Sequence, residues 1–546
     1  MNINRRRWIR LDGCGDNIID KILSARGIKD KRLFLKGKVS DMHDISLLND
    51  AIKAVNLIKE VIKNNEKIVI YSDYDTDGAC GAAVAYMILK ELGADVDYYT
   101  NDRFTQGYGM CISGVDEILK LYTDTKLILT IDNGIVAYDA IDYAKSKGLT
   151  VIVTDHHEQG EYLPNADAVV NPKRKDSKYP FNGICGAVVA WKILRELYED
   201  KNEANKFLDI LAIATVGDVV PLIDENRIIV KEGLKLLNNN SRKSLAILRE
   251  MTNTTEINAH FTLGFIYSPI FNAVSRLGGN INSVIDVLVS EDEEFIKKTM
   301  TELININEKR KALTDKQVKK AELLLEKKGL KEVIVLYDEE FHEGIIGLIA
   351  GRLKEKYNRP AFVFTKTENG FLKGSARSIE KFDVKDNLDK CKDLLLGYGG
   401  HTLAAGLSLE LKNLNAFEDR LIKLTKQLLT EEDFIRKYYY IDILREEDIT
   451  MDLVEDLKAL EPYGEGFEKP LLRLVDFKVR RVFTMGKENE HLKLLGDKIS
   501  LIAWRQANHY EGRGNPLKVT ALGFPEINVY KNNVNIQFVV DEDNFY

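Results

Sequence analysis

Cysteine is scarce. Five residues (Cys14, Cys80, Cys111, Cys185, Cys391) are scattered over 546 positions without a CxxC pair. An odd, dispersed set in a long chain argues against a disulfide framework and against a thiolate zinc site. Proline is scarce too, at 10 residues, and the 37 glycines show no period, which excludes collagen-like and proline-rich architectures. Long apolar runs are missing. The most apolar stretch, 207–223, carries Asp209 and Asp218 and is too short to cross a bilayer. The opening MNINRRRWIRLDG is basic but is followed by no apolar h-region, so no signal peptide is expected. A soluble, cytoplasmic protein without membrane contact is the expectation. There is no surplus of positive charge: 78 Lys and Arg face 85 Asp and Glu, a net charge of −7. That excludes a generally basic nucleic-acid coat protein, but not an enzyme with a local basic channel.

What is present is ordinary for globular proteins: 45% hydrophobic and 30% charged residues. The length predicts three or four domains. Between 67 and 155, buried-strand runs (KIVIYS, DVDYYT, KLILTID, TVIVTD) alternate with helical stretches at 78–93 and 137–147. This is the pattern of βαβ units and a parallel sheet. A helical region is expected at 184–330, and Ile296, Met300, Leu303 and Ile306 predict a long amphipathic connecting helix in it. A second α/β unit begins at EVIVLYD (332–338), with a helix at 344–357, strands at 360–365 and 371–377, and a helical stretch to about 435. The last hundred residues break into short alternating segments, which predict a small barrel.

The densest chemical signal is YSDYDTDG, where Asp73, Asp75 and Asp77 follow a buried strand directly. A turn that needs a helix cap would use one Asp. Three adjacent carboxylates repel, and a cation would offset that repulsion. Asp132 ends another strand, Asp155, His156 and His157 follow a third, and Asp218 follows an apolar helix. Ligands of parallel sheets sit at the carboxyl ends of strands. Oxygen and imidazole donors without thiolate suit manganese or magnesium. A carboxylate-rich set suggests two ions sharing a bridging Asp.

YSDYDTDG, IDNG, TDHH and VGDVVPL, in this order and spacing, resemble the four motifs of the DHH phosphoesterase superfamily. RFTQGYG (103–109), NAVSRLGG (272–279), FHEGIIGLIAGRLKEKYNRPAFVF (341–364), GSARS (374–378) and GGHTLAAGLSL (399–409) narrow the likeness to its single-strand-specific 5′→3′ exonuclease branch. The resemblance runs from about residue 45 to the end of the sequence. It implies two α/β domains, the DHH and DHH-associated units, joined by a long helix and closed toward a ring by an OB-type barrel. The expected boundaries are an N-terminal segment at 1–50, the catalytic domain at 51–230, a helical connector at 231–330, the DHH-associated domain at 331–435 and the OB domain at 436–546. It implies one ion each on Asp75 and Asp77, bridged by Asp132, with His156 and Asp218 around the Asp77 ion and with Asp73 and His157 in support. Arg103, Ser375 and Arg377 would hold a 5′-phosphate. Arg276 and His401 would approach the scissile or next phosphate, and Gly399 and Gly400 would admit it. Tyr108 would stack on a base or block a second strand.

The expected activity is exonucleolytic hydrolysis of single-stranded DNA to 5′-mononucleotides, in recombination and repair. A helicase and a single-strand-binding protein are expected as partners of a monomer. The alternative is a phosphodiesterase for short oligoribonucleotides or cyclic dinucleotides; a non-enzymatic scaffold fits poorly with an intact ligand set. The stretch 471–531 supports strand binding, with eleven Lys or Arg against six Asp or Glu. Phe477, Phe483, Trp504, Tyr510 and Phe524 are interleaved there. Two departures stand out: Glu343 in FHEG, where the family has Pro, and Ile270 after Pro269, where it commonly has Arg.

Overall fold

The structure is a computed structural model and describes residues 6–239, 241–530 and 533–546. The chain opens with a short strand, β1 (Arg6–Arg10), that joins a sheet at the far end of the sequence. The first α/β unit has five parallel strands: β2 (Lys67–Ser72), β3 (Val96–Thr100), β4 (Thr125–Ile131), β5 (Thr150–Thr154) and β6 (Ala168–Val170), in spatial order 3-2-4-5-6. Strand β2 shows why its sequence is almost continuously apolar. Ile68 and Ile70 enter the core on one face of the sheet, and Val69 and Tyr71 enter the core on the other. The strand order reverses between β2 and β4, so the crevice between their carboxyl ends is the topological switch point.

The helix after β2 spans Thr76–Glu91, starting two residues before the expected Gly78. Asp75 sets that start: its carboxylate accepts from the Asp77 and Gly78 amides at 3.0 and 3.1 Å. The predicted connecting helix is Glu293–Lys328, 36 residues and about 54 Å at 1.5 Å per residue. Its first half buries Ile296, Met300 and Leu303 in the catalytic core, and its last part buries Ala321 and Leu325 in the next domain. One rigid element therefore spans both α/β units.

The second unit holds β7 (Ile334–Tyr337), β8 (Ala361–Lys366), β9 (Leu372–Arg377), β10 (Leu395–Gly400) and β11 (Ala404–Leu409), in order 10-11-9-8-7. Strands β10 and β11 correct the expectation of a helical stretch to about 435. LLGYGG is half glycine and AAGLSL is half alanine and glycine, residues depleted in strands, so neither gives a strand signal. Pairing with β9 makes them strands.

The C-terminal unit is an eight-stranded sheet. Besides β1 it contains β12 (Arg436–Leu444), β13 (Leu471–Lys478), β14 (Arg481–Met485), β15 (His491–Leu495), β16 (Ser500–Ala503), β17 (Lys518–Tyr530) and β18 (Asn533–Phe545). It wraps a core that includes Leu474, Phe477, Leu494, Leu501 and Phe538. It also touches both α/β units. Leu222 donates to the Glu465 carbonyl at 2.7 Å, and Arg436 of β12 donates to the Glu355 carbonyl. Among the described residues no helix is long and apolar enough to cross a membrane.

Candidate metal centre and phosphate cleft

The carboxyl ends of β2, β4 and β5, with one helix C-terminus, deliver seven sequence-predicted residues to the switch point. Their donor atoms form three overlapping groups: Asp73, Asp75 and Asp132; Asp77, His156 and Asp218; and Asp132, His156 and His157. His156 Nε2 lies 3.1 Å from Asp132, 3.5 Å from Asp218 and 3.9 Å from Asp77. Asp132 is thus the residue common to both ends of the cluster. Its backbone has φ of 63°, a left-handed conformation that Asp tolerates better than most residues.

Backbone amides place Asp75, Asp77 and Asp155. Asp77 accepts from the Gly186 and Ala187 amides at 2.6 and 3.0 Å, which ties two helix N-termini together. One residue that the sequence places among the acidic sites without a specific role organises the histidines. Asp155, fully buried, accepts from the His156 and His157 amides at 2.7 and 3.0 Å and from the Ile135 amide at 2.9 Å, and it holds His157 Nδ1 at 2.8 Å. The signal was present, as the D of TDHH, but an acidic residue beside two histidines reads as one more ligand. Lys173 was missed. Its charge acts on His156, Asp218 and His401, and a lysine in the loop after β6 carries no motif.

The electrostatics are those of a site built for cations. Burial, then Asp75, pushes Asp77 up to about 6. Burial and neighbouring carboxylates also raise Asp73, Asp132 and Asp218 well above the usual range. Burial, reinforced by His157, drives His156 down to about 3, which keeps its ring neutral and able to ligate. For His157, burial opposes protonation, but the bond to Asp155 overrides it and raises the pKa. Buried Asp73 Oδ1, Asp132 Oδ1, Asp218 Oδ2 and both His156 ring nitrogens have no hydrogen-bond partner. Buried polar atoms left unpaired in this way are destabilising unless a ligand satisfies them. All-oxygen and imidazole donors fit a hard or borderline divalent ion.

Beside this centre runs a basic cleft between the α/β units. Arg103 stacks over the Tyr74 ring at 5.1 Å. Arg276 is pushed down to about 10 by burial and by the nearby Arg103 and Arg377. Arg377 donates to Ser375 Oγ at 3.2 Å, next to the start of the helix Ile346–Tyr357. The structure therefore brings Arg103, Arg276, Ser375 and Arg377 together. The domains meet closely because Gly344 lacks a side chain: a Cβ there would lie 1.9 Å from the Arg276 carbonyl. Gly400, at φ of 148°, is likewise obligatory, since a Cβ would meet the Ala404 carbonyl at 2.4 Å. Gly399 faces open space. His401 is exposed, near enough to His156 and His157 to interact electrostatically. Tyr108 keeps its ring 45% exposed, while its hydroxyl reaches His157 Nδ1 at 2.8 Å and donates to the Asp132 carbonyl at 3.1 Å.

The two departures have structural answers. Glu343 pairs with Lys373, so its charge is neutralised locally. Ile270 is buried in the catalytic core, away from the cleft. Of the five C-terminal aromatics, Phe477, Tyr510 and Phe524 are core, whereas Phe483 and Trp504 are exposed.

A parallel sheet with acidic and histidine donors at its switch point, facing a second α/β domain lined with arginine, defines a DHH-type phosphoesterase. Family comparison agrees: residues 67–215 match the DHH family N-terminal domain, 330–427 the DHHA1 domain and 442–542 the RecJ OB domain. The chain is 32% identical to the single-stranded-DNA-specific exonuclease RecJ of Bacillus subtilis, over 96% of this chain and 67% of that protein. It is 30% identical to the RecJ of Haemophilus influenzae, over 98% of both. The crystal structure of Thermus thermophilus RecJ in complex with Mn2+ superposes with a TM-score of 0.84 at 27% identity, over 100% of this chain and 80% of that one. The chain belongs to the RecJ family.

Proposed function

We propose that this chain is a metal-dependent exonuclease that degrades single-stranded DNA from the 5′ end and releases 5′-mononucleotides. The observation that carries this reading is the convergence of Asp73, Asp75, Asp77, Asp132, His156 and Asp218 on one switch point beside the Arg103, Arg276 and Arg377 cluster. Asp77, His156 and Asp218 would hold one Mn2+ or Mg2+; Asp75 and Asp132, with Asp73, would hold a second. These ions supply an activated water and charge neutralisation at the scissile phosphodiester.

The chain's own groups do the rest. Asp155 fixes His156 and His157 in place, and Tyr108 and His157 support Asp132. Arg377, oriented by Ser375, and Arg103 grip a terminal 5′-phosphate through their planar guanidinium groups. Arg276 and His401 meet the next phosphates, with Gly400 admitting the backbone. The exposed Tyr108 ring meets a base. Mutual positioning of the phosphate pocket and the metal centre sets the direction of cleavage. The domain boundaries given under Sequence analysis, a monomeric state, cytoplasmic action in recombination and repair, and cooperation with a helicase and a single-strand-binding protein belong to the same proposal.

The test is degradation of single-stranded DNA labelled at either end, in manganese, with Asp77→Ala as control. Early release of the 5′ label as a mononucleotide, absent in the control, is expected. Release of the 3′ label first would overturn the direction, and inert long strands would overturn the activity.

A further inference from the structure

Arg103 and Tyr108 stand on one loop, 101–111, between β3 and the helix Ile112–Leu121. Among the described residues the Arg103 guanidinium has no hydrogen-bond or ion-pair partner, and it rests on the Tyr74 ring. Its position therefore follows the backbone of the loop. An arginine on a loose loop would lose more conformational freedom on gripping a phosphate.

The loop is locked from two sides. Asp102 closes its first turn. The Asp102 carboxylate accepts from the Phe104 and Thr105 amides at 3.0 and 2.8 Å, and its carbonyl accepts from the Gln106 amide at 3.0 Å. Gln106 reaches back to β3 and donates to the Tyr99 hydroxyl at 2.8 Å. On the outer side the Phe104 ring lies 6.2 Å from His342 of the second α/β unit.

The inner side is held by a buried pair. Asn101 is 5% exposed and Tyr71 is 0% exposed. The Asn101 side-chain amide donates to the Gly107 carbonyl at 3.2 Å and also to the Gly109 carbonyl. Those two carbonyls flank Tyr108. The Asn101 side-chain oxygen accepts from the Tyr71 hydroxyl, which itself accepts from the Cys111 amide at 3.2 Å. Tyr71 lies on β2, two residues before Asp73, and its carbonyl accepts from Asn133 Nδ2 at 3.0 Å. Asn133 follows Asp132 directly. One short hydrogen-bonded path thus runs from the strands that carry Asp73 and Asp132 to both sides of Tyr108. It passes through Asn101, two residues from Arg103. A buried hydrogen bond adds modest net stability, but a satisfied buried network fixes one geometry.

We propose that Asn101 and Tyr71 are positioning residues that set the distance between the metal centre and the terminal-phosphate grip. They act through Arg103 and Tyr108 and touch no substrate themselves. The proposal rests on the assignment of Arg103 to the 5′-phosphate.

The test compares Asn101→Ala, Tyr71→Phe and Arg103→Ala with the unaltered chain, on single strands ending in a 5′-phosphate or a 5′-hydroxyl. The readout is the ratio of kcat/KM between the two ends. In Asn101→Ala it should fall about ten- to hundredfold, the worth of one hydrogen bond to a charged group. The fall should lie in KM, with Mn2+ affinity unchanged. Tyr71→Phe keeps the ring and removes only the hydroxyl, so it should give a smaller fall in the same direction. Asn101→Ala added to Arg103→Ala should change the ratio no further, whereas independent damage would add. Amide exchange should speed up at 104–107 and at 111, and stay slow in β2 and β4.

A folded Asn101→Ala chain with an unchanged ratio would overturn the proposal. So would equal losses on both kinds of end, a parallel loss of Mn2+ affinity, or additive losses in the double variant. Should Asn101→Ala fail to fold, Tyr71→Phe carries the same decision. If Arg103→Ala itself leaves the ratio unchanged, the 5′-phosphate assignment falls instead. Exchange at 104–107 would then still decide whether Asn101 and Tyr71 hold the loop.

Discussion

At the scale of residues, the centre depends on groups that need not touch a metal. Asp155 makes four contacts with one carboxylate, three of them to the two histidines. Asp155→Ala removes all of them and frees His157. Such supporting contacts are worth about 10–100-fold in metal affinity. Titration with Mn2+ should show a loss in that range with the far-ultraviolet dichroism unchanged; wild-type affinity would rule out a positioning role. The carboxylates themselves give stability a pH signature. In metal-free protein Asp77 moves from 3.8 to about 6, and Asp73, Asp132 and Asp218 also rise. A carboxyl raised by folding stays protonated where the unfolded chain has released its proton. Its contribution is therefore full below pH 3.8 and lost as pH rises through about 6. Cations bind the ionised forms, so Mn2+ should stabilise more as pH rises. The gap in Tm between Mn2+ and chelator should widen across that window. A gap that is constant or narrows with pH would contradict this electrostatic account.

At the scale of elements, the long helix transmits geometry between the two α/β cores. It does so through packing at both ends and through Gln317, which bonds the Glu340 carbonyl at 2.8 Å and the His342 amide at 3.0 Å. The middle of the helix buries Asn307 and Thr314 on one face, and Ala312 on another is exposed. Ala312→Gly should cost about 1 kcal/mol and leave the helix intact, whereas Ala312→Pro should cost about 3 kcal/mol or more and kink it. Only the proline variant should lose strand degradation, because only it moves the arginine pocket relative to the metals. Equal activity in the two variants would show that the helix does not set that spacing.

This helix was legible in the sequence because Ile296, Met300 and Leu303 repeat at helical spacing. The parallel strands were legible because both of their faces are buried. Strands β10 and β11 were not, since glycine carries no packing signal and their pairing with β9 is a tertiary event. The seven motif carboxylates and imidazoles named from the sequence converge at one switch point. Asp155 and Lys173 could not be assigned roles, because theirs depend on which loops the fold brings together.

At the scale of the whole molecule, the two ends of the chain meet in one sheet. Strand β1 pairs in parallel with β12, with Arg6 opposite Arg436. No local pattern announces a pairing across more than four hundred residues. A buried arginine locks the same region to the catalytic domain. Arg227, in the helix Asp224–Asn239, is 1% exposed and lies 3.7 Å from the Phe34 ring. Its guanidinium donates to the carbonyls of Phe34 at 2.8 Å, Leu460 at 2.6 Å, Glu461 at 3.0 Å and Pro462 at 2.9 Å. Burial, in a site without an acidic partner in contact, pushes its pKa down to about 9. Arg227→Met keeps the apolar volume but strands those carbonyls, each at about 1–3 kcal/mol when buried and unpaired. The variant should lose at least about 3 kcal/mol of stability. Its C-terminal unit should also come loose from the catalytic domain before the rest unfolds. Hydrogen exchange would then speed up across 460–467 and 34–37 while the core around β2 and β4 stays protected. Cleavage of very short strands, which needs only the cleft, should persist as long-strand degradation declines. Uniform loss of protection throughout the chain would show that Arg227 serves the catalytic core and not the junction.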